Sequence, residues 1–184
     1  MIKKLALLAA LLSTASLAAG PKVPDTIKAP PNEKLILQAH ATGSQIYICK
    51  QGAEGKAAWT LKAPDAQLHD EKGALIGIHF AGPTWKLNDG SEVVGKAAAQ
   101  VDSPDTSAIP WLLISAVKNS GDGLFTQVTS IQRINTKGGK PPSPAGCNSA
   151  KLDAEAKSAY SADYYFYAPA AAVQNAQPLP PPGA

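Results

Sequence analysis

Arginine is nearly absent from this 184-residue chain: Arg133 is the only one. No strong charge of one sign makes up for it, since 17 Lys and Arg stand against 14 Asp and Glu, a formal charge of +3. Phosphate recognition favours the guanidinium fork, and nucleic-acid-binding domains carry a basic stripe. With neither feature present, no nucleic-acid partner is expected. Past residue 20 no apolar run is long enough to span a bilayer, so no transmembrane segment is expected in the mature chain. Signature motifs are missing too. There is no G-x-G-x-x-G for a dinucleotide and no G-x-S-x-G elbow for a serine hydrolase. Gly55-Lys56 is followed by alanine and lacks the glycine of a phosphate loop five residues earlier. No cofactor is expected from the sequence.

What is present begins with a leader. Lys3 and Lys4 form a short positive region, residues 5–12 are an uninterrupted apolar run, and residues 13–20 are rich in small side chains. That order is a secretory signal peptide, expected over residues 1–19 with cleavage after Ala18 or Ala19. The apolar run is shorter than the roughly 20 residues a spanning helix needs. No cysteine follows the cleavage region, so a lipoprotein anchor is not expected. Losing Lys3 and Lys4 takes the formal charge from +3 to +1. The chain is therefore expected to be exported, to the periplasm or the medium. In an oxidising compartment its two cysteines, Cys49 and Cys147, read as one disulfide; two buried thiols are the alternative. A bridge across their separation of 98 residues stabilises by about 4–5 kcal/mol in the chain-entropy treatment.

Prolines frame the folded unit. Residues 20–32 carry Pro21, Pro24, Pro30 and Pro31 and read as an extended lead-in. Residues 169–184 carry Pro169, Pro178, Pro180, Pro181 and Pro182 among alanines and read as a disordered tail. Between them, over residues 33–168, the apolar period is two far more often than three or four. Strands are expected over residues 34–38, 43–50, 58–62, 66–69, 74–80, 92–101, 111–117 and 163–167. Pro64-Asp65 reads as a break, and Asn88-Asp89-Gly90-Ser91 as a tight hairpin turn. Val93, Gly95, Ala97, Ala99 and Val101 share one face that lets another layer approach closely. Trp111, beside Leu112 and Leu113, reads as core in a strand that is apolar on both faces. Residues 124–134 slip register between Val128 and Ile131, through a β-bulge or a short helix. The fold class is all-β: a single-domain sandwich or barrel of short antiparallel strands, with at most one short helix near 149–160.

Few residues invite chemistry. His40, His69 and His79 match no metal-ligand spacing, so no metal site is assigned. His79 stands out because it ends a strand before Gly82-Pro83 and Trp85. An exposed tryptophan could stack on a sugar, whereas a buried one is an ordinary core anchor; Trp85, next to a polar turn, is the candidate for exposure. Asp102 belongs to Asp102-Ser103-Pro104-Asp105-Thr106-Ser107, which could hold Ca²⁺ or do acid–base work, though such stretches more commonly cap their own backbone. Arg133 could bind an anion, but pairing with a carboxylate is the plainer expectation.

Taken in order, Gln45-Ile46-Tyr47-Ile48-Cys49, Gly77-x-His79-x-Ala81-Gly82-Pro83-Thr84-Trp85, Asp89-Gly90-Ser91, Ile109-Pro110-Trp111-Leu112-Leu113, Gln132-Arg133-x-Asn135-Thr136-x-Gly138-Gly139 and Ala162-Asp163-Tyr164-Tyr165-Phe166-Tyr167 resemble a family of exported bacterial and fungal proteins classed as a domain of unknown function. The resemblance runs from Leu35 to Tyr167. It implies an exported, β-rich single domain and no substrate, cofactor or catalytic residue. The expected function is a non-enzymatic binding or structural module associated with the cell envelope. Its candidate ligand surface is His79, Trp85, Asp89, Ser91 and Asp102, and its expected partner is a cell-wall glycan or another envelope component. The alternative is a small exported hydrolytic or metal-dependent enzyme using His79 with Asp89 or Asp102.

Overall fold

Alternation of inward and outward side chains builds the wall of the molecule. The computed structural model describes residues 20–52 and 55–175; the expected leader and residues 176–184 of the expected tail lie outside that range. Eight strands follow in chain order: β1 (Glu33–Gln51), β2 (Ala57–His69), β3 (Leu75–Phe80), β4 (Thr84–Leu87), β5 (Glu92–Val101), β6 (Trp111–Ser120), β7 (Ser130–Gly138) and β8 (Glu155–Pro169). Each pairs antiparallel with the next, and β8 pairs back onto β1, closing a barrel in simple up-and-down order. Closure gives every strand a neighbour on both sides, although some ladders cover only part of a strand's length. The mostly-β expectation thus resolves to a barrel.

Several strands are longer than the sequence suggested. Residues 34–38 and 43–50 belong to one strand of 19 residues. Residues 58–62 and 66–69 belong to one strand of 13 that runs straight through Pro64. The reason is local: β3 joins β2 only from Ala66 onward, so Pro64 lies opposite Gln45 where β2 has a single neighbour. Its missing N–H breaks no second ladder. Gly43 is required where these strands meet, because a Cβ there would lie 2.2 Å from the Asp65 carbonyl oxygen.

The short helix allowed for near 149–160 does not form there. Only Ser149–Lys151 forms a 3-10 turn, and from Glu155 the chain is strand. Pairing with β1 from Glu155 to Pro169 overrides the helical propensity of the alanines. The register slip at residues 124–134 is absorbed by a 3-10 turn, Leu124–Gln127, which ends before β7 begins. Past β8, α1 (Ala170–Asn175) occupies the start of the segment expected to be a disordered tail.

Two apolar clusters hold the wall, one on each side. Inside lie Trp85, Tyr164, Phe166, Phe125, Leu68, Val93 and Ile131. Outside, the lead-in crosses the barrel. Its 3-10 turn Asp25–Ile27 buries Ile27 completely against Ile134, Tyr165 and Tyr167, with Ala99, Val101, Trp111 and Leu113 around them. Gln132 Nε2 donates to the Ile27 carbonyl at 2.6 Å, and the Tyr167 hydroxyl donates to Gln132 Oε1 at 2.6 Å. This explains why residues 111–114 and 164–167 are apolar on both faces. The small-residue face of β5 does admit another layer, but it is divided. A register shift between Ala97 and Ala99 turns Val93 and Gly95 inward and leaves Ala99 and Val101 under the lead-in. Beyond the strap, Val117 is exposed on β6.

The cysteines are bridged, Cys49 at the end of β1 to Cys147 in the β7–β8 connection, with Cα atoms 5.4 Å apart. Cys49 also exchanges backbone hydrogen bonds with Ala154 and Asp153. The bridge therefore pins the long β7–β8 connection over one end of the barrel.

Candidate functional site

The β3–β4 hairpin places His79 directly across from Trp85. Both point inward and are buried, His79 at 3% and Trp85 at 1% exposure. Their rings stack with centroids 4.2 Å apart and planes 8° from parallel. Gly95 makes the space: a Cβ there would come within 2.9 Å of the Trp85 ring and 2.5 Å of Ile114. His79 Nδ1 lies 2.9 Å from the Thr84 carbonyl oxygen. That oxygen can only accept, so Nδ1 carries the proton and Nε2 is the bare nitrogen. Burial pushes the imidazole pKa down to about 3, and the nearby Arg133 charge acts in the same direction. His79 is neutral throughout the physiological range.

Across the lumen, β7 and β8 contribute Arg133 opposite Tyr164. Tyr164 meets both stacked rings edge-on, at 5.3 Å from His79 and 5.4 Å from Trp85. Its hydroxyl has the Tyr160 hydroxyl, the Arg133 guanidinium and the Trp85 indole nitrogen as neighbours. Burial raises the pKa of both tyrosines, and the Arg133 charge opposes it. Arg133 Nη2 donates to the Pro110 carbonyl at 2.8 Å, tying the β5–β6 connection over the lumen. Trp85 Nε1, Arg133 Nε and the hydroxyls of Tyr160 and Tyr164 are buried without a well-formed hydrogen bond, the contacts they have being the loose ones gathered around the Tyr164 hydroxyl. Tyr47, also within reach of the Arg133 charge, is satisfied, donating to the Gly139 carbonyl at 2.7 Å.

The carboxylate expected to pair with Arg133 is not there. Among the described residues Arg133 forms no ion pair; acids near the wall are used elsewhere, Asp163 by His40 and Asn135, Asp65 by Lys157 and Glu155 by Lys62. The lumen thus holds one guanidinium beside a neutral imidazole.

The other expected site residues do not join His79 and Trp85. Asp89 and Ser91 close the β4–β5 turn and brace the following 3-10 turn. Asp89 accepts from the Ser91 N–H and hydroxyl at 2.8 and 2.6 Å and from the Leu124 N–H at 3.0 Å. The Ser91 hydroxyl oxygen in turn accepts from the Phe125 N–H at 3.1 Å. These bonds seat Phe125 in the core, its ring tilted against Phe166 with centroids 4.4 Å apart. Asp102 lies at the opposite end of β5, beside a shallow cavity of about 210 Å³ with Ser103, Asp105, Thr106 and Lys140. There Asp105 accepts from the Ser107 N–H and hydroxyl, the self-capping arrangement such loops commonly adopt. Neither Asp89 nor Asp102 hydrogen-bonds His79. Among the described residues no three His, Cys, Asp or Glu side chains gather as a metal-ligating group.

Arg133, Tyr160 and Tyr164 were not among the expected site residues. The available signals were the solitary arginine and the period-two series Tyr160, Ala162, Tyr164, Phe166, all of which face the lumen.

Residues 30–168 match a protein family described as Protein of unknown function (DUF3455). No curated protein and no solved structure matches the chain.

Proposed function

Because the chain belongs to this family of unknown function, and membership assigns no activity, we propose on its geometry that it is an exported, non-catalytic binding module with its ligand seat inside the barrel, beside Arg133. One observation carries the reading: Trp85 Nε1, Arg133 Nε and the Tyr160 and Tyr164 hydroxyls are buried around one point without a well-formed hydrogen bond, and their donors outnumber the acceptors among them. A buried polar group left unmet costs on the order of 1–3 kcal/mol, and Phe in place of either tyrosine would avoid that cost at nearly the same volume. Groups retained at one point against their folding cost are the mark of a seat for a partner. His79 holds the floor of the seat by stacking on Trp85.

Several features support the exported compartment proposed here. The leader-like first residues suit export, and the Cys49–Cys147 bridge suits an oxidising milieu. No described helix is long and apolar enough to cross a membrane. The outer wall carries Lys62–Glu155 and Lys157–Asp65 pairs, which suit a barrel facing water rather than lipid. Trp85 is too buried to be a stacking platform for a glycan, so the envelope ligand favoured here is small and polar. The hydrolytic alternative has less support, since His79 engages neither Asp89 nor Asp102.

The test is thermal unfolding of the disulfide-intact protein against a panel of small polar solutes, charged and neutral. At least one is expected to raise the Tm of the native protein and to leave Tyr164→Phe unmoved. The basal stability of Tyr164→Phe is expected to be equal or higher, by on the order of 1 kcal/mol. Identical responses of the two proteins across the panel would remove the reading.

A further inference from the structure

The four loosely bonded atoms have one chemistry in common. Indole Nε1–H and guanidinium Nε–H only donate, and the two phenols each carry a donor hydrogen. The phenol oxygens can accept, yet if each accepts one bond the donors still outnumber the acceptors. The charge is also one-sided. Arg133 has no carboxylate partner among the described residues, its contacts are with the neutral Pro110 carbonyl and the Tyr164 phenol, and His79 beside it is neutral. Arg133 is half-buried with its Nε covered, and a guanidinium in such surroundings favours a counter-charge and acceptors. From this donor-rich, singly positive lumen we infer that the seat binds a small monovalent anion, a halide or the carboxylate of a small acid, held by Arg133, Trp85, Tyr160 and Tyr164.

The inference rests on the reading of this cluster as a ligand seat and names what fills it. Each member has a part. Arg133 supplies the charge and Nε–H; the Trp85 indole N–H and the two hydroxyls supply the remaining donors. Neutral His79 keeps the charge at one, so a singly charged guest neutralises the seat and a doubly charged one overcompensates. The stack on Trp85 and the space left by Gly95 hold the indole in place.

The indole N–H resonances of isotopically labelled protein report the seat directly. Trp85 is assigned by its loss in Trp85→Phe, while Trp59, which donates to the Ser143 carbonyl, and Trp111, whose Nε1 is likewise buried without a well-formed hydrogen bond but under the lead-in outside the lumen, serve as internal controls. Sodium chloride, sodium formate and sodium acetate are titrated at constant ionic strength against sodium gluconate, with glycerol as the neutral probe. A saturable shift of the Trp85 resonance alone supports the inference. Saturation by chloride assigns a halide, and saturation only by formate or acetate assigns a carboxylate. Arg133→Gln is expected to weaken binding about tenfold or more, the usual effect of losing a charged hydrogen-bond partner. Should Arg133→Gln fail to fold, Arg133→Lys retains the charge without the Nε donor and is expected to weaken binding in the same direction. A Trp85 resonance that moves with glycerol but with no anion overturns the anion while sparing the ligand seat. A resonance that moves with none of the probes, and so reports bound water alone, overturns both.

Discussion

Burial, rather than a charge partner, dictates how His79 behaves. Its folded pKa of about 3 lies below the ordinary 6.5, so the unfolded chain takes up the proton first as pH falls. The contribution of His79 to stability is therefore complete above pH 6.5 and is lost progressively between pH 6.5 and about 3. Groups facing it are the Arg133 guanidinium, the Tyr164 phenol and the Trp85 indole. Urea unfolding at about pH 7 and about pH 5 should show the native protein losing on the order of 2 kcal/mol more than His79→Gln. Equal losses would mean that the imidazole is not buried as described. At this scale the sequence was informative about neighbours and misleading about exposure. Gly77-x-His79 and Trp85 stood out together, and they do stack. Whether Trp85 faces water depends on Gly95 and Tyr164, which approach from strands far along the chain.

Among the elements, the lead-in is the least conventional. It is proline-rich, and periodicity gives it no face, yet it covers the outer surface of β5 to β8. Ile27→Ala is expected to cost about 2–4 kcal/mol, as for other fully buried aliphatic truncations, with Trp111 becoming more solvent-exposed by fluorescence. Because Ile27 lies outside the wall, the Trp85 indole environment should be unchanged; a shift in both tryptophans would contradict the separation into two clusters. Strand identity was legible where alternation ran unbroken, as at Tyr47 and Cys49, whereas β8 was read only over 163–167 and its residues from Glu155 to Ala162 were missed. Strand length was not legible. Pro64 looked like an end because a proline in a doubly paired strand would be one, and only the stagger of β3 makes it harmless. The alanines of residues 154–159 looked helical because alanine favours helices in isolation, and the β1 ladder decided otherwise.

For the whole molecule, the closing contact is the β8–β1 pair, which brings His40 beside Asp163 at a separation of 123 residues. No local pattern encodes such a pairing, which is why periodicity left sandwich and barrel undecided. The same distance makes the Cys49–Cys147 bridge effective, since it closes a loop of 98 residues in the unfolded chain. Replacing both cysteines by serine should lower the unfolding free energy by about 3–5 kcal/mol, read by urea denaturation. A difference within error would show that the β7–β8 connection is held without the bridge. The central claim, that the barrel encloses a donor-rich seat for an anion, is tested most directly by anomalous diffraction from crystals soaked in sodium bromide. An anomalous peak within hydrogen-bonding distance of both Trp85 Nε1 and Arg133 Nε is the expected result. Well-ordered side chains with no such peak, and with ordered water between Trp85 Nε1 and Arg133 Nε instead, would contradict it.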